Sequence, residues 1–230
     1  MTTILVTGAN RGIGLEFVRQ YGQTGNDVIA CCRKPSAAVE LRKIADQAKH
    51  VKLHTLDVAD PESIRALKRE LGDVPFDILI NNAGVGGPDP QTAEAIDYDQ
   101  WLTTFRVNAM APLIVAQAFH ENLHRGQEKK LVTITSGLGS TENNTGGGWY
   151  GYRASKAAVN NVMRGLAHDW AKDGIHVGIF APGWVRTDMG GTSGPLSVEQ
   201  SVKNLRVRID ELDARTSGHY LDHTGQEIAW

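Results

Sequence analysis

The chain has 230 residues, 41% of them hydrophobic and 22% charged, a composition typical of a folded protein with a sizeable core and unlike that of a disordered chain. Its formal net charge of −2 gives no reason to expect nucleic acid or a membrane surface as a partner. The adjacent cysteines, Cys31 and Cys32, exclude a disulfide framework, and a strand-like run that begins at Thr3 leaves no room for a signal peptide, so we expect a cytoplasmic protein.

Strand-like and helix-like runs alternate from one end of the chain to the other. The strand-like runs are TILVT, DVIACC, VKLHTL, FDILIN, KLVTITS and HVGIFAPG, and several are almost wholly apolar. The helix-like runs are Gly12 to about Tyr21, SAAVELRKIADQAK, PESIRALKREL, Tyr98 to about Leu123, and the run that carries Tyr152. This alternation predicts a single α/β domain over residues 1–230, with a Rossmann-type, doubly wound parallel sheet and helices on both faces.

The segment TGANRGIG follows the first strand and is rich in glycine. Gly8 permits a tight turn, Gly12 lets the backbone approach a pyrophosphate, and Gly14 allows the next helix to pack close to the strand. The free N–H groups of that helix would then face an anion. An ordinary strand-to-helix turn is the alternative interpretation. We expect cofactor contacts from Gly8, Asn10, Arg11, Gly12, Ile13 and Gly14.

The end of the second strand indicates which dinucleotide would bind. An acidic residue there would favour NAD, whereas this chain has Cys32 followed by Arg33 and Lys34. A guanidinium can bind a 2′-phosphate through two hydrogen bonds, and Arg11 in the glycine loop can approach the same group. Solvated surface charges are the alternative interpretation of both arginines. We predict NADP(H), preferred over NAD(H).

Two tyrosines, Tyr150 and Tyr152, precede Lys156. Residues four apart share one face of a helix, so Tyr152 and Lys156 are predicted to lie together, while Tyr150 falls before the helix. An ammonium one turn away would lower the pKa of the phenol and suit it to proton transfer. A surface i,i+4 pair is the alternative.

Six motifs in order identify a family resemblance. They are TGANRGIG, NNAG, Asn108, Ser136, YRASK and PGWVRT. The chain resembles the short-chain dehydrogenases/reductases over essentially its whole length, and YRASKAAVN, PGWVRTDMGG and DHTGQEIAW resemble the C-factor-like and sniffer-like carbonyl reductases more narrowly.

The resemblance implies four catalytic residues. Tyr152 would be the general acid in reduction, Lys156 would lower its pKa and hold the nicotinamide ribose, and Ser136 would donate a hydrogen bond to the substrate carbonyl. Asn108 would open its helix locally and hold a water for proton relay. The plain alternatives are a cap or strand-end hydroxyl for Ser136, and a polar helix residue with satisfied hydrogen bonds for Asn108.

The resemblance also implies the remaining cofactor contacts, at the adenine, the adenosine ribose and the nicotinamide. They are Asp57, Val58, Asn82, Ala83, Gly84, Tyr152, Lys156, Pro182, Gly183, Val185 and Thr187. A homo-oligomer, dimer or tetramer, is expected from the same resemblance.

Less specific features surround the expected site. Trp149 and Trp184 would line an apolar substrate pocket or serve only in packing, and the segment DMGGTSGPLSVEQSV would form a short lid. His219 and His223 are expected to be exposed, and no metal is expected because H-E-x-x-H and C-x-x-C spacings are absent.

Three functions fit these patterns. The leading one is an NADP-dependent oxidoreductase that reduces aldehydes, ketones or quinones to alcohols. The alternatives are an NAD-linked alcohol or steroid dehydrogenase and a C-factor-like signalling or cofactor-sensing protein. The set Asn108, Ser136, Tyr152 and Lys156 favours catalysis, because a binding module has no evident need for it.

Overall fold

The computed structural model describes residues 1–230 and is built around one seven-stranded sheet. The strands are β1 (Thr3–Thr7), β2 (Asp27–Cys32), β3 (Val51–Thr55), β4 (Ile78–Asn81), β5 (Lys130–Ile134), β6 (His176–Ala181) and β7 (Tyr220–Asp222). All neighbours pair in parallel, in the order β3-β2-β1-β4-β5-β6-β7. The predicted doubly wound α/β fold is confirmed.

Eight α-helices connect these strands and cover both faces of the sheet. They are α1 (Gly12–Gln23), α2 (Val39–Gln47), α3 (Pro61–Leu71), α4 (Tyr98–Phe105), α5 (Ala111–Ala118), α6 (His120–His124), α7 (Tyr150–Trp170) and α8 (Val198–Asp210). None of the helices is both long and apolar enough to cross a membrane.

The core has two halves because side chains of a strand alternate between the faces of the sheet. On β1, Ile4 and Val6 pack with the apolar side chains of α1, α2 and α8. Leu5 points to the other face and packs with α3, α5 and α7. Both halves are fully buried at the sheet, which explains why the strands read as continuous apolar runs.

The strand order reverses between β1 and β4, so the connections that leave the carboxyl ends of these neighbouring strands run to opposite faces of the sheet. In open α/β sheets such a switch point leaves a crevice where ligands bind. The segment after β1 holds the glycine loop, and the segment after β4 holds Asn82. The fold thus places two of the predicted cofactor segments side by side.

The helix-like run from Tyr98 to Leu123 is divided into α4, α5 and α6, with a π-helical turn at Arg106–Met110 that contains Asn108. Two local predictions need correction. Helix α7 begins at Tyr150 itself, so Tyr150 lies in the helix and not before it. The lid segment is shorter than expected, since α8 starts at Val198, where the Ser197 hydroxyl accepts a hydrogen bond from the Gln200 N–H and caps the helix.

Candidate active site

A cavity of about 1100 Å³ opens at the carboxyl ends of the strands. Every predicted cofactor and catalytic residue lines it except Asn108, which lies just behind its wall. The volume exceeds the usual range for a single drug-sized ligand, so the cavity has room for a dinucleotide and a substrate together.

The glycine loop at one end of the cavity is shaped by contacts that exclude a side chain. A Cβ on Gly14 would lie 2.3 Å from the main-chain oxygen of Gly8 and 2.4 Å from the Asn82 Nδ2 atom. Gly8 has a φ of +67°, in the left-handed region that favours glycine. The Asn82 amide donates to the main-chain oxygens of Thr7 and Gly8, at 2.9 and 3.3 Å. Asn82 therefore fixes the loop from the neighbouring strand.

The two arginines that the sequence predicts to contact the cofactor both line the cavity. Arg33 is exposed and lines the cavity beside Cys32 and Asp57. Arg11 also lines it, and its guanidinium forms an ion pair with the Asp188 carboxylate at 2.6 Å. Asp188 directly follows Thr187, so this pair joins the glycine loop to the segment on the opposite side of the cavity.

Tyr152 and Ser136 lie next to each other at the inner end of the cavity. Burial raises the pKa of the Tyr152 phenol, and a hydrogen bond with the Ser136 side chain acts in the opposite direction. The Ser136 hydroxyl also accepts from the Leu138 N–H at 3.2 Å, so it caps the short turn that follows β5. Ser136 therefore caps this turn and also lies in the cavity next to Tyr152, where its side chain is accessible to a ligand.

Lys156 lies on the same face of α7 as Tyr152, as the four-residue spacing requires. Its ammonium is buried and donates to the main-chain oxygen of Ile134 at 3.0 Å. Burial lowers the pKa of Lys156 to about 8. The ammonium also lies over the Tyr152 ring, 5.8 Å from its centre.

Asn108 lies in the π-helical turn, which confirms the expected local opening of the helix. Its side-chain oxygen accepts from the Val85 N–H at 2.9 Å, and its amide donates to the Val85 oxygen at 2.8 Å. The amide also donates to the Ser155 hydroxyl at 3.1 Å. The side chain therefore fastens the segment after β4 to α7, and its hydrogen-bonding groups are largely occupied by protein.

The rim of the cavity is apolar and exposed. Trp149 and Trp184 both line it, with relative exposures of 49% and 58%, together with Met189. Trp149 has a φ of +52°, an uncommon backbone conformation for a bulky residue, and its ring meets the Tyr152 ring edge-on at 6.2 Å. Tyr150 does not line this cavity. Trp149 thus lies beside Tyr152, and both tryptophans line the rim of the cavity.

Sequence reasoning misplaced one histidine of the tail. His219 is exposed, as expected, but His223 is partly buried, lines the cavity and shares a hydrogen bond with Asn204 at 2.9 Å. A Cβ on Gly183 would lie 2.8 Å from the His223 ring. Other lining residues that the sequence did not single out are Leu56, Val85, Leu138, Val198, Asp222 and Ile228. Of these six residues, only Val198 could have been anticipated from the sequence, because Ser197 before it marks the start of a helix. Nothing in the sequence pointed to the other five.

Comparisons with known proteins agree with this geometry. The sequence profile of the family described as short chain dehydrogenase matches residues 2–195. The chain is 38% identical to the C-signal of Myxococcus xanthus over 167 residues, which are 73% of this chain and all of that protein.

Two solved structures superpose closely on the whole chain. An NADPH-bound carbonyl reductase from chicken fatty liver has 32% identity and a TM-score of 0.93, and the match covers 100% of this chain and 99% of that one. The carbonyl reductase Sniffer of D. melanogaster has 28% identity and a TM-score of 0.90, with complete coverage of both chains. The expected resemblance to C-factor-like and sniffer-like proteins is confirmed.

Proposed function

Because the chain belongs to the short-chain dehydrogenase family, we propose that it is an NADP(H)-dependent carbonyl reductase that converts aldehydes, ketones or quinones to alcohols. The observation that carries the proposal is the meeting of Tyr152 and Ser136 in the cavity that the glycine loop also borders. A phosphate cradle and a proton donor at opposite ends of one cavity suit a dinucleotide and a carbonyl.

The residues present fit a dinucleotide. The loop at Gly8 and Gly14 leaves no space for side chains, so a pyrophosphate can lie close to the backbone at the start of α1. Arg33 and Arg11 supply positive charge where a 2′-phosphate would lie, and no carboxylate takes the position after Cys32. The NADPH bound to the chicken carbonyl reductase supports the same assignment.

The cofactor, when bound, supplies the hydride. Tyr152 stays protonated at neutral pH because burial raises its pKa, so it can give a proton to the carbonyl oxygen as negative charge develops there. The Ser136 hydroxyl donates a hydrogen bond to the same oxygen. The Lys156 ammonium adds positive charge 5.8 Å from the centre of the Tyr152 ring.

A signalling or cofactor-sensing role is the second candidate, and the likeness to the C-signal supports it. Catalysis is favoured because Lys156 is buried with its charge at the reacting end of the cavity, an arrangement that costs desolvation energy. A protein that only binds the dinucleotide would gain nothing evident from a lysine buried at this energetic cost.

The experiment follows cofactor oxidation with NADPH and NADH in parallel, against a panel of aldehydes, ketones and quinones. We expect turnover with NADPH that is lost in Tyr152→Phe and kept in Tyr150→Phe, a matched change two residues away and outside the cavity. Binding of NADPH with no turnover of any carbonyl would contradict the proposal and favour the sensing role.

A further inference from the structure

Tyr220 lies directly behind Ser136, on the side away from the cavity. It is the first residue of β7, pairs with Ile179 of β6 and is fully buried. Its hydroxyl donates a hydrogen bond to the main-chain oxygen of Ser136. The side chain that holds the Ser136 backbone therefore comes from the far edge of the sheet.

A second polar contact ties the same place to the helix of Tyr152. The Thr135 hydroxyl donates to the Asn160 side-chain oxygen at 2.5 Å, and both residues are buried. Asn160 lies eight residues after Tyr152 on α7, and its side chain lies beside the Tyr220 hydroxyl without a hydrogen bond of standard geometry. Tyr220, Asn160 and Thr135 thus form one buried group beneath the end of β5.

Trp230 supports Tyr220 and holds the other end of the same loop. Its ring packs on the Tyr220 ring with centres 5.6 Å apart, and the Arg164 guanidinium covers it at 4.6 Å. The main-chain oxygen of Trp230 accepts from the Thr141 hydroxyl and from the Glu142 N–H, both at 2.9 Å. The loop from Ser136 to Glu142 is therefore fastened at both ends by the segment Tyr220–Trp230.

The Ser136 backbone has few contacts on the cavity side. Gly137 is exposed, and a Cβ placed on it would meet nothing within 4 Å. Apart from Tyr220, the Ser136 main-chain oxygen accepts only from the N–H of Gly139, a buried residue that packs against Lys156 and Asn160 of α7. A displacement of about 1 Å at a reacting group costs about a hundredfold in rate, so the anchor at Tyr220 has a direct consequence for the chemistry.

We propose that Tyr220 is a positioning residue, which holds the main chain of Ser136 so that the Ser136 hydroxyl meets the carbonyl oxygen of the substrate. The role rests on the proposed function. Burial raises the pKa of Tyr220 to about 12, so its hydroxyl remains a hydrogen-bond donor at every pH at which the protein would act. Trp230 keeps the Tyr220 ring in place.

A double-mutant cycle tests whether Tyr220 acts through Ser136. Tyr220→Phe is expected to lower kcat for carbonyl reduction about tenfold and to leave the KM for NADPH within about twofold. Ser136→Ala is expected to lower kcat further, and adding Tyr220→Phe to Ser136→Ala should then change kcat by less than about twofold. Equal losses from Tyr220→Phe in both backgrounds would overturn the proposal.

Tyr21→Phe is the matched control. Tyr21 is also buried, but it packs in the half of the core that contains α1 and does not line the cavity. Loss of its hydroxyl is expected to leave kcat unchanged. A tenfold loss of kcat in this control as well would show that removal of any buried tyrosine hydroxyl lowers kcat, and would contradict a specific role for Tyr220.

Amide hydrogen exchange separates failure of this proposal from failure of the proposed function. Tyr220→Phe is expected to speed exchange in residues 137–142 at least fivefold, with no change in the glycine loop. If no carbonyl is reduced but this loop alone exchanges faster, the reductase function fails and the anchoring of Ser136 stands. If carbonyls are reduced while both exchange and kcat match the parent protein, the function stands and Tyr220 is not a positioning residue.

Discussion

The Lys156 ammonium donates to the main-chain oxygen of Ile134 at 3.0 Å and lies 5.8 Å from the centre of the Tyr152 ring. The lysine is thus fixed to Ile134, the last residue of β5, two residues before Ser136. No carboxylate forms a salt bridge with it, which is why burial alone determines the direction of its pKa shift.

The pH dependence of reduction should follow Lys156. Its pKa is lowered to about 8, so the ammonium is present below pH 8 and is lost above it. We expect kcat/KM for carbonyl reduction to fall as pH rises through about 8, because the positive charge near the developing oxyanion disappears. In Lys156→Arg, measured from pH 6 to 10, kcat/KM should be lower than in the parent protein at low pH. It should no longer fall at alkaline pH, since an arginine keeps its charge. An unchanged fall near pH 8 in Lys156→Arg would assign the titration to another group.

Asp188 should compete with the cofactor for Arg11. The two side chains are largely exposed, and an exposed ion pair contributes at most about 1 kcal/mol. Asp188→Asn frees Arg11 for a 2′-phosphate, so NADPH should bind about two- to fivefold more tightly at low salt, with a smaller gain for NADH. Fluorescence titrations at two salt concentrations measure this, and the gain should shrink at high salt.

The control for that change is Asp213→Asn. Asp213 also pairs with an arginine, Arg215, but neither residue lines the cavity. Asp213→Asn should therefore leave the affinities for NADPH and NADH unchanged. An equal gain for NADPH and NADH in Asp188→Asn would show that Arg11 does not distinguish the 2′-phosphate.

Asn108 should contribute to stability as well as to activity. Its buried side chain makes two hydrogen bonds to Val85 and one to Ser155. Asn108→Ala leaves these partners unsatisfied, so the free energy of unfolding in urea should fall by about 2–4 kcal/mol. Thr103→Ala, a change on the exposed side of α4, should cost less than about 1 kcal/mol. Equal stabilities of the two variants would contradict the anchoring role.

Local patterns were enough to predict much of the fold and part of the site. Spacing alone placed Tyr152 and Lys156 on one helix face, and glycine positions marked the loop after β1, because both depend on contacts between near neighbours. The parallel sheet followed from the alternation of strands and helices. For the helix face and the glycine loop, the physical cause lies within a few residues along the chain.

Other features depend on contacts that the sequence does not reveal. Tyr220 and Ser136 are 84 residues apart, and only the addition of β7 to the sheet edge brings them together. His223 was expected to be exposed because a polar tail residue usually is, yet the turn after β7 directs it into the cavity. The direction of the Lys156 ammonium was also missed, since spacing gives a helix face but no hydrogen-bond partner.

Gly14→Ala should disrupt the phosphate cradle. The new methyl group would overlap the Gly8 main-chain oxygen and the Asn82 amide, at 2.3 and 2.4 Å, and the main chain cannot move without displacing β1. We expect a loss of at least about 2 kcal/mol in the free energy of unfolding, together with loss of NADPH binding. Gly165→Ala is the matched helical change: nothing lies within 4 Å of its Cβ, so it should stabilise the protein by about 0.5–1 kcal/mol. A stable, NADPH-binding Gly14→Ala protein would contradict the close-packed loop.

Arg33 should decide between the two dinucleotides. It is exposed at the cavity wall directly after β2, where its guanidinium can reach a 2′-phosphate but has no comparable group to bind in NADH. Arg33→Asp replaces an attraction with a repulsion, so the Kd for NADPH should rise about 10- to 100-fold and the Kd for NADH less than about threefold. Arg42→Asp makes the same charge change on α2, outside the cavity, and should leave the ratio of the two Kd values unaltered. If Arg33→Asp weakens both cofactors equally, the arginine contributes general positive potential and the preference for NADPH must come from elsewhere.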